Sequence, residues 1–506
     1  MQGAHNCSRA AWRLVIVMAL ATLLAVAVGA VRLSDAAAET VSLKRYNVVF
    51  EGTATTSGFA VDGGRDAALA LVTSAGGTVV SDLTRQIGVV TALSTNSDFA
   101  STVGAAASVD VVGEDFVWKA MPTMDEALMS GELSVVGAED VPGGGPQPSS
   151  DFLEPGQWSM KQIQTEEAHA IQAGSPLVQV GILDSGIDAT HTDLSANVDC
   201  SLGRDFVPVG PSPLSIGTPC NDNQFHGTHV AGIVAAKANV SGVVGVAPNV
   251  KLIPVKVCDI AGYCYASSSA AAITYAGDQK FEVINMSYFI DDDQLLSSTE
   301  LKCMSDPVQR AFRQANERAI QYARNQGVVP VAALGNSDYD LSDPPEPYEN
   351  ECEVVPAETQ GVIGTMALGS NKEKARYSSY GVGATDVAAP GGNGTTGDCT
   401  RTVLSTLPGQ AWGCIQGTSM ASPHTAGVAA LIVSQFGRVG NDAGAVDVVM
   451  RPSQVESYLQ ASTIDQGEPG YDKCFGHGRI NALRAVLHQT SPVYDATAPL
   501  CPEYAE

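Results

Sequence analysis

The chain has 506 residues and a formal net charge of −26, with 54 Asp plus Glu against 28 Lys plus Arg. An excess of acid on this scale excludes nucleic acid and an anionic membrane surface as partners, because phosphate surfaces are held by clustered Lys and Arg. Only 16 % of residues are charged while 44 % are hydrophobic, and a chain this long divides into more than one unit.

The first element in chain order is an uncharged apolar run, Leu14 to Val31, preceded by Arg9 and Arg13 and followed by small residues at Ala30 and Ala36-Ala-Ala38. It reads as a secretory signal peptide over residues 1–38, so the mature chain is expected outside the cell and off the membrane. An uncleaved anchor is the alternative, since a span needs about twenty residues. From 41 to 121 the pattern predicts a strand at Tyr46–Phe50, a helix over Arg65–Ala75, and strands at Gly76–Val80 and Ile87–Ala92. A helix near Ser97–Ala107 and a closing strand at Val109–Val117 complete a βαββαβ, ferredoxin-like unit. Residues 122–156, centred on Gly143-Gly-Gly-Pro-Gln-Pro-Ser-Ser150, are too poor in apolar side chains to order themselves and read as a flexible, cleavable linker. Over 157–489, buried β-rich runs alternate with helical patterns. The fold class is therefore α/β, with a mainly parallel central sheet covered by helices on both faces. Residues 490–506 form a short tail.

Four blocks of the large domain carry chemistry. Val178-Gln-Val-Gly-Ile-Leu183 runs into Asp184-Ser-Gly-Ile-Asp188, so Asp184 falls at the carboxyl end of a buried strand, where open α/β sheets hold ligands. His226-Gly-Thr-His-Val-Ala-Gly opens a small-residue helix; a metal held by His226 and His229 needs a third ligand that the sequence does not mark. Gly327-Val-Val-Pro-Val-Ala-Ala-Leu-Gly-Asn336 is a strand run ending in an amide. Gly417-Thr-Ser-Met-Ala-Ser-Pro-His424 sets Ser419 at the start of a helix, beside main-chain N–H groups that can bind an oxyanion. Singly, these residues read as turn and capping residues. Together they supply the nucleophile, base, orienting carboxylate and donors that acyl transfer needs.

In these blocks the chain resembles the subtilisin-like serine endopeptidases, from about Gln157 to Val486. Gly245-Val-Ala-Pro-Asn249, Val283-Ile-Asn-Met-Ser287, Asp386-Val-Ala-Ala-Pro390 and Gly476-His-Gly-Arg-Ile-Asn481 add to the match. The resemblance implies polypeptide substrates, Ser419 as nucleophile, His226 as base, Asp184 as its orienting acid, and an oxyanion hole of Asn336 and the Ser419 N–H. It also implies that 41–121 is an inhibitory prosegment, the chain's own intramolecular inhibitor in a self-processing precursor. Calcium is implied by Asp193 and by Asn239, with the carbonyls of Lys237, Ser241 and Val243 completing an oxygen cage; Asn239-Val-Ser241 also fits a glycosylation acceptor, and a turn cap is the other use of Asp193. Substrate contact falls to Ser287, Tyr288 and Phe289. Where the family commonly has leucine and glycines, this chain has Tyr288-Phe-Ile290 and then Asp291-Asp-Asp293, so Phe289 is expected to narrow the pocket for the residue before the scissile bond.

Two other classes compete. An esterase of the α/β-hydrolase kind requires acid and histidine after the serine and leaves the Asp184 and His226 blocks unexplained. A catalytically dead interaction protein does not need all four groups.

Of the eleven cysteines, Cys7 precedes the apolar run and the other ten lie between Cys200 and Cys501. An even number in an exported chain predicts five disulfides, and short loops favour Cys258 with Cys264, Cys399 with Cys414 and Cys200 with Cys220. No Cys-x-x-Cys pair is present to suggest zinc.

Overall fold

The computed structural model describes residues 42–136, 156–208, 218–289, 305–343, 353–395, 398–442 and 445–501. The chain divides into Met1–Ser42 and Leu43–Glu506. Every element below belongs to the second unit, and the signal peptide read over 1–38 lies outside the described residues.

The first elements are β1 (Lys44–Phe50), β2 (Gly52–Thr55), β3 (Gly58–Val61), α1 (Arg65–Ser74), β4 (Gly77–Leu83), β5 (Val89–Ser94), α2 (Phe99–Gly104) and β6 (Val109–Glu114). They build a wholly antiparallel sheet in the order β4-β5-β1-β6, as the βαββαβ pattern predicts, with a β2–β3 hairpin that the sequence reading did not contain. Strand side chains alternate between two hydrophobic layers. Val48 and Phe50 pack with Val72, Phe99 and Val103 of the unit's own helices, whereas Val49, Ile87, Val89 and Val111 face Ala311, Phe312 and Ala315 of the large domain.

The expected closing strand Val109–Val117 breaks at Asp115. That carboxylate accepts hydrogen bonds from the Ser267 N–H and hydroxyl, so the chain leaves the first sheet, and β7 (Val117–Lys119) pairs instead with Tyr263–Tyr265 of the large domain. Residues 122–136 also depart from the flexible linker read there. Thr123 accepts from the Glu126 N–H while Glu126 accepts from Thr123, a reciprocal cap that starts α3 (Met124–Ser130), and Gly131 closes it at φ 78°. After it, β8 (Ser134–Val136) pairs antiparallel with Ala411–Ile415. Composition misled here because Ala127, Leu133 and Val136 bury in the core of the large domain, not in one of their own. Residues 137–155 lie outside the described set.

The large domain runs α4 (Trp158–Gln162), α5 (Thr165–His169), β9 (Gln179–Asp184), β10 (Arg204–Asp205), α6 (His226–Ala235), β11 (Lys251–Lys256), β12 (Tyr263–Tyr265), α7 (Ala266–Gln279), β13 (Val283–Met286), α8 (Pro307–Asn325), β14 (Val329–Ala333), β15 (Ile363–Leu368), β16 (Val387–Pro390), β17 (Val403–Leu407), β18 (Ala411–Ile415), α9 (Thr418–Phe436), β19 (Arg438–Asp442), β20 (Ala445–Val449), α10 (Pro452–Ala461) and α11 (Ala482–Val486). Seven strands form one sheet in the order β10-β11-β9-β13-β14-β15-β16, and neighbouring strands pair parallel throughout. One face packs Val180, Ile182 and Val331 under α6 and α9, and the other packs Leu183, Ile284 and Ala332 under α7 and α8. A sheet covered on both faces has buried strands without polar alternation, which is why they read as continuous apolar runs.

The three short-range disulfides expected from the sequence are present, and Cys474 joins Cys501. The remaining two cysteines, Cys303 and Cys352, lie outside the described residues. The tail is tied down further by Asp495, which pairs with Lys372 and Arg479. Among the described residues, no helix is long and apolar enough to cross a membrane.

Candidate active site

Asp184 ends β9 at the carboxyl edge of the sheet, and His226 opens α6. Gly227, the next residue, is needed for their approach: a Cβ there would stand 2.1 Å from the Gly186 carbonyl oxygen and 3.2 Å from the Asp184 Cβ. As a result His226 Nδ1 lies 2.9 and 3.0 Å from the two carboxylate oxygens of Asp184. Burial works against a charged imidazole, but Asp184, by charge and hydrogen bond, and Asp222 beyond it outweigh that cost and hold the His226 pKa above its ordinary value.

Ser419 stands in the first turn of α9, buried to 7 % exposure. Its Oγ donates to the Ser287 carbonyl at 3.0 Å, and the Ser287 hydroxyl donates to the Ser419 carbonyl at 2.8 Å. Asn336 follows β14, and its Oδ1 accepts from the Thr418 N–H and hydroxyl at 3.0 and 2.8 Å. With the oxygen so engaged, the Nδ2 donor is left for the cavity. His226, Asn336, Gly417, Ser419, Tyr377 and Gln416 line that cavity, of about 280 Å³, together with Met121 and Pro122.

The last two belong to the crossing segment. β7 adds an antiparallel strand to β12, the N–H groups of Ala120 and Met121 both donate to the Gly262 carbonyl, and Gln224 Nε2 donates to the Pro122 carbonyl. Trp118, 2 % exposed, is held among Phe116, Tyr288 and Phe312. The chain thus passes over the cavity between β7 on one side and β8 on the other.

Of the three residues read as substrate contacts, Ser287 touches Ser419 as described. Tyr288 is buried in the core, with its hydroxyl against Ser269 Oγ at 2.9 Å and its ring facing Trp118. Phe289 is half-buried beside Gly335, the residue before Asn336. None of the three lines the cavity around Ser419. Asp291-Asp-Asp293 lie outside the described residues.

The residues read as a calcium cage gather in one place. Asp193 Oδ2 accepts from the Val243 N–H and from Trp412 Nε1, and the Lys237 N–H donates to the Asp193 carbonyl. Asn239 accepts from the Ser241 N–H and donates to the Thr192 carbonyl. Gly242, at φ +61°, leaves the room: a Cβ there would sit 2.0 Å from Asp193 Oδ2. Asp193 Oδ1 is buried with no hydrogen-bond partner, and burial outweighs its N–H and indole donors to hold the carboxyl above its usual range. A hard cation answers both features. Among the described residues no three His, Cys, Asp or Glu side chains cluster as metal ligands; this cage asks for one carboxylate, one amide and carbonyls.

His229 and His424 are buried on the Gly413 and Met420 carbonyls and neutral, pushed down to about 3 and about 4 by burial. Asp222, Gln224, Thr418 and Trp412 were missed. Asp222 and Gln224 lie on the loop before α6, Trp412 in β18 and Thr418 at the start of α9, and only proximity in space marks them.

The subtilase family model matches residues 177–478. The chain is 36 % identical over 310 residues to subtilisin DY of Bacillus licheniformis, covering 61 % of this chain and 90 % of that one. It is 32 % identical over 342 residues to thermitase of Thermoactinomyces vulgaris, covering 67 % and 99 %. In fold it is similar to the epidermin leader peptide processing serine protease of Staphylococcus aureus, with a TM-score of 0.66 at 20 % identity, over 88 % of this chain and 98 % of that one. A family match across this span, on a seven-stranded parallel sheet with Asp184, His226, Asn336 and Ser419 at one edge, means that the chain belongs to the subtilase family of serine endopeptidases.

Proposed function

We propose that this protein is a secreted endopeptidase, made as a self-processing precursor, in which Ser419 is the nucleophile, His226 its base and Asp184 the acid that orients it. The observation that carries the reading is that His226, paired with Asp184 at 2.9 Å, lines the same cavity as Ser419 and Asn336. For the reaction the Ser419 side chain turns from the Ser287 carbonyl toward His226 Nε2 across the cavity that both residues line. The imidazole then takes the proton as Oγ attacks the scissile carbonyl, and Asp184 stabilises the cation formed. The tetrahedral oxyanion is held by Asn336 Nδ2, whose direction Thr418 sets, and by the Ser419 N–H at the start of α9. His226 returns the proton to the leaving amine, and water completes the cycle.

Three features support the precursor reading. The first sheet packs on α7 and α8, β7 occupies the edge of β12 as an extended peptide does, and Met121-Pro122 covers the cavity. In this state residues 43–136 exclude any other substrate. The apolar run at Leu14–Val31 and the disulfides support export. Asp193, Asn239 and the carbonyls of Lys237, Ser241 and Val243 would hold calcium; bound there, the cation supplies a neutralising charge and a crosslink between the Asp193 turn and the 237–243 loop. Labelling of Ser419 by a fluorophosphonate, lost in Ser419→Ala, tests the central assignment, and an unlabelled wild-type enzyme freed of residues 43–136 would refute it.

A further inference from the structure

Five donors converge on the two carboxylate oxygens of Asp222, which is 3 % exposed. Oδ1 accepts from Ser185 Oγ and from the N–H groups of Gln224 and Phe225, each at 3.0 Å. Oδ2 accepts from the Thr228 N–H at 2.9 Å and from its hydroxyl at 2.7 Å. These donors lie on both sides of His226, so one side chain fixes the chain before and after it.

The fixed segment is strained. Phe225 has φ 119°, a region that a residue with a Cβ rarely adopts, and it immediately precedes His226. Its N–H is captured by Asp222, the His226 N–H by Gln224 Oε1, and its carbonyl by the His229 N–H. Ser185 joins this hub to the acid of the pair. Its hydroxyl donates to Asp222 and accepts from the Gly227 N–H, and its own N–H donates to Asp184 Oδ1 at 2.8 Å. The same few atoms therefore position both partners of the His226–Asp184 contact.

We propose that Asp222 is a positioning residue of the reaction: it sets the main chain that carries His226 in register with Asp184, and places a second negative charge behind the imidazole. This rests on the reading of His226 as the base. The ionisable groups acting on that imidazole are Asp184 at the end of β9, Asp222 on the preceding loop and His229 on α6, of which His229 is neutral. Removing the Asp222 charge therefore leaves one carboxylate to favour the imidazolium. Asn at this position also turns an N–H toward groups that are all donors.

The test is the pH profile of kcat/KM for Asp222→Asn, normalised to the active-site-titrated fraction of mature enzyme. The expected result is an acid limb moved to lower pH by roughly half a unit or more and a plateau lowered roughly tenfold. A role confined to folding lowers the titratable fraction and leaves the limb in place, and an unmoved limb would overturn the proposal. If Asp222→Asn cannot be recovered folded, Ser185→Ala keeps the charge and removes the link to Asp184. Its plateau should fall about threefold or more with the limb unchanged; a wild-type plateau there overturns the proposal as well. Ser419→Ala separates the two readings. Activity retained in Ser419→Ala sinks the assignment of the triad, whereas an inactive Ser419→Ala beside an Asp222→Asn of unchanged limb sinks only the role of Asp222.

Discussion

Asp115 accepts both the main-chain N–H of Ser267, at 2.9 Å, and its hydroxyl, at 2.6 Å, so a carboxylate of the first folded unit sits on the first turn of α7 in the large domain. Asn47 supplies a third donor at 2.8 Å. The contact favours a negative group at a helix N-terminus and leaves two N–H or O–H groups of the large domain unpaired when it is lost. Asp115→Asn in a separately added segment 43–136 should weaken inhibition of the mature enzyme by roughly tenfold to a hundredfold, the loss of about 1.5–3 kcal/mol expected for a hydrogen bond to a charged group. An unchanged inhibition constant would place the binding energy elsewhere in the interface.

The pH dependence follows from the raised pKa of His226. A general base works only when neutral, so kcat/KM should fall as pH drops through that raised pKa, and the acid limb should lie above the ordinary imidazole value of about 6.5. The stability term has the opposite sense. A His whose folded pKa is raised contributes fully below its unfolded value and loses that contribution as pH rises through the folded one. Asp184→Asn should lower kcat roughly 10⁴-fold with the protein still folded, and initial rates between pH 5 and 9 check both statements.

Self-processing predicts a clear difference between two precursors. In a host without other proteases, the wild-type chain should lose the region that holds the β4-β5-β1-β6 sheet by cleavage in the segment that follows residue 121, while Ser419→Ala should stay at precursor length. Pro122 follows Met121 over the cavity, and its ring fixes φ and removes the main-chain N–H that an extended substrate donates, so cleavage is expected beyond it, at or after residue 123. Mass spectrometry of the mature N-terminus decides this, and equal processing of both chains would point to an outside protease.

Calcium removal should lower the melting temperature of the mature enzyme by roughly 5 °C, the effect of losing a ligand present well above its dissociation constant. Asp193→Asn should abolish the response to chelator, because it removes the one carboxylate of the cage. Calorimetry with and without chelator, beside elemental analysis, measures it; no bound calcium and no shift would leave the buried Asp193 Oδ1 without this explanation.

Phe289 stands beside Gly335 on the approach to Asn336. Phe289→Gly should widen the space expected for the residue before the scissile bond and raise kcat/KM for peptides with large aromatic residues there by roughly tenfold or more. Identical peptide-library profiles for wild type and variant would mean that the side chain does not shape that pocket.

Much of the molecule was legible in order along the chain. The strands of the first sheet, and the Val178–Leu183 and Gly327–Asn336 runs of the second, showed themselves because apolar periodicity is a local property, and the Asp184, His226, Asn336 and Ser419 blocks because each sits at an element end whose pattern is local too. Thr123-x-x-Glu126 was equally legible as a helix start, yet the low apolar content around it argued for a linker; its order comes from burying Ala127, Leu133 and Val136 in a core that other segments build. The break at Asp115 depends on Ser267, the hub at Asp222 on Ser185, and the direction of the Asn336 amide on Thr418. In each case the partner is 37 or more residues away in sequence and close only after folding. The sequence by itself determined which groups are present and which elements bear them, because propensity and burial act over a few residues. The tertiary structure alone decided which of them share hydrogen bonds and which segment covers the cavity, since such bonds form between atoms that chain order does not bring together.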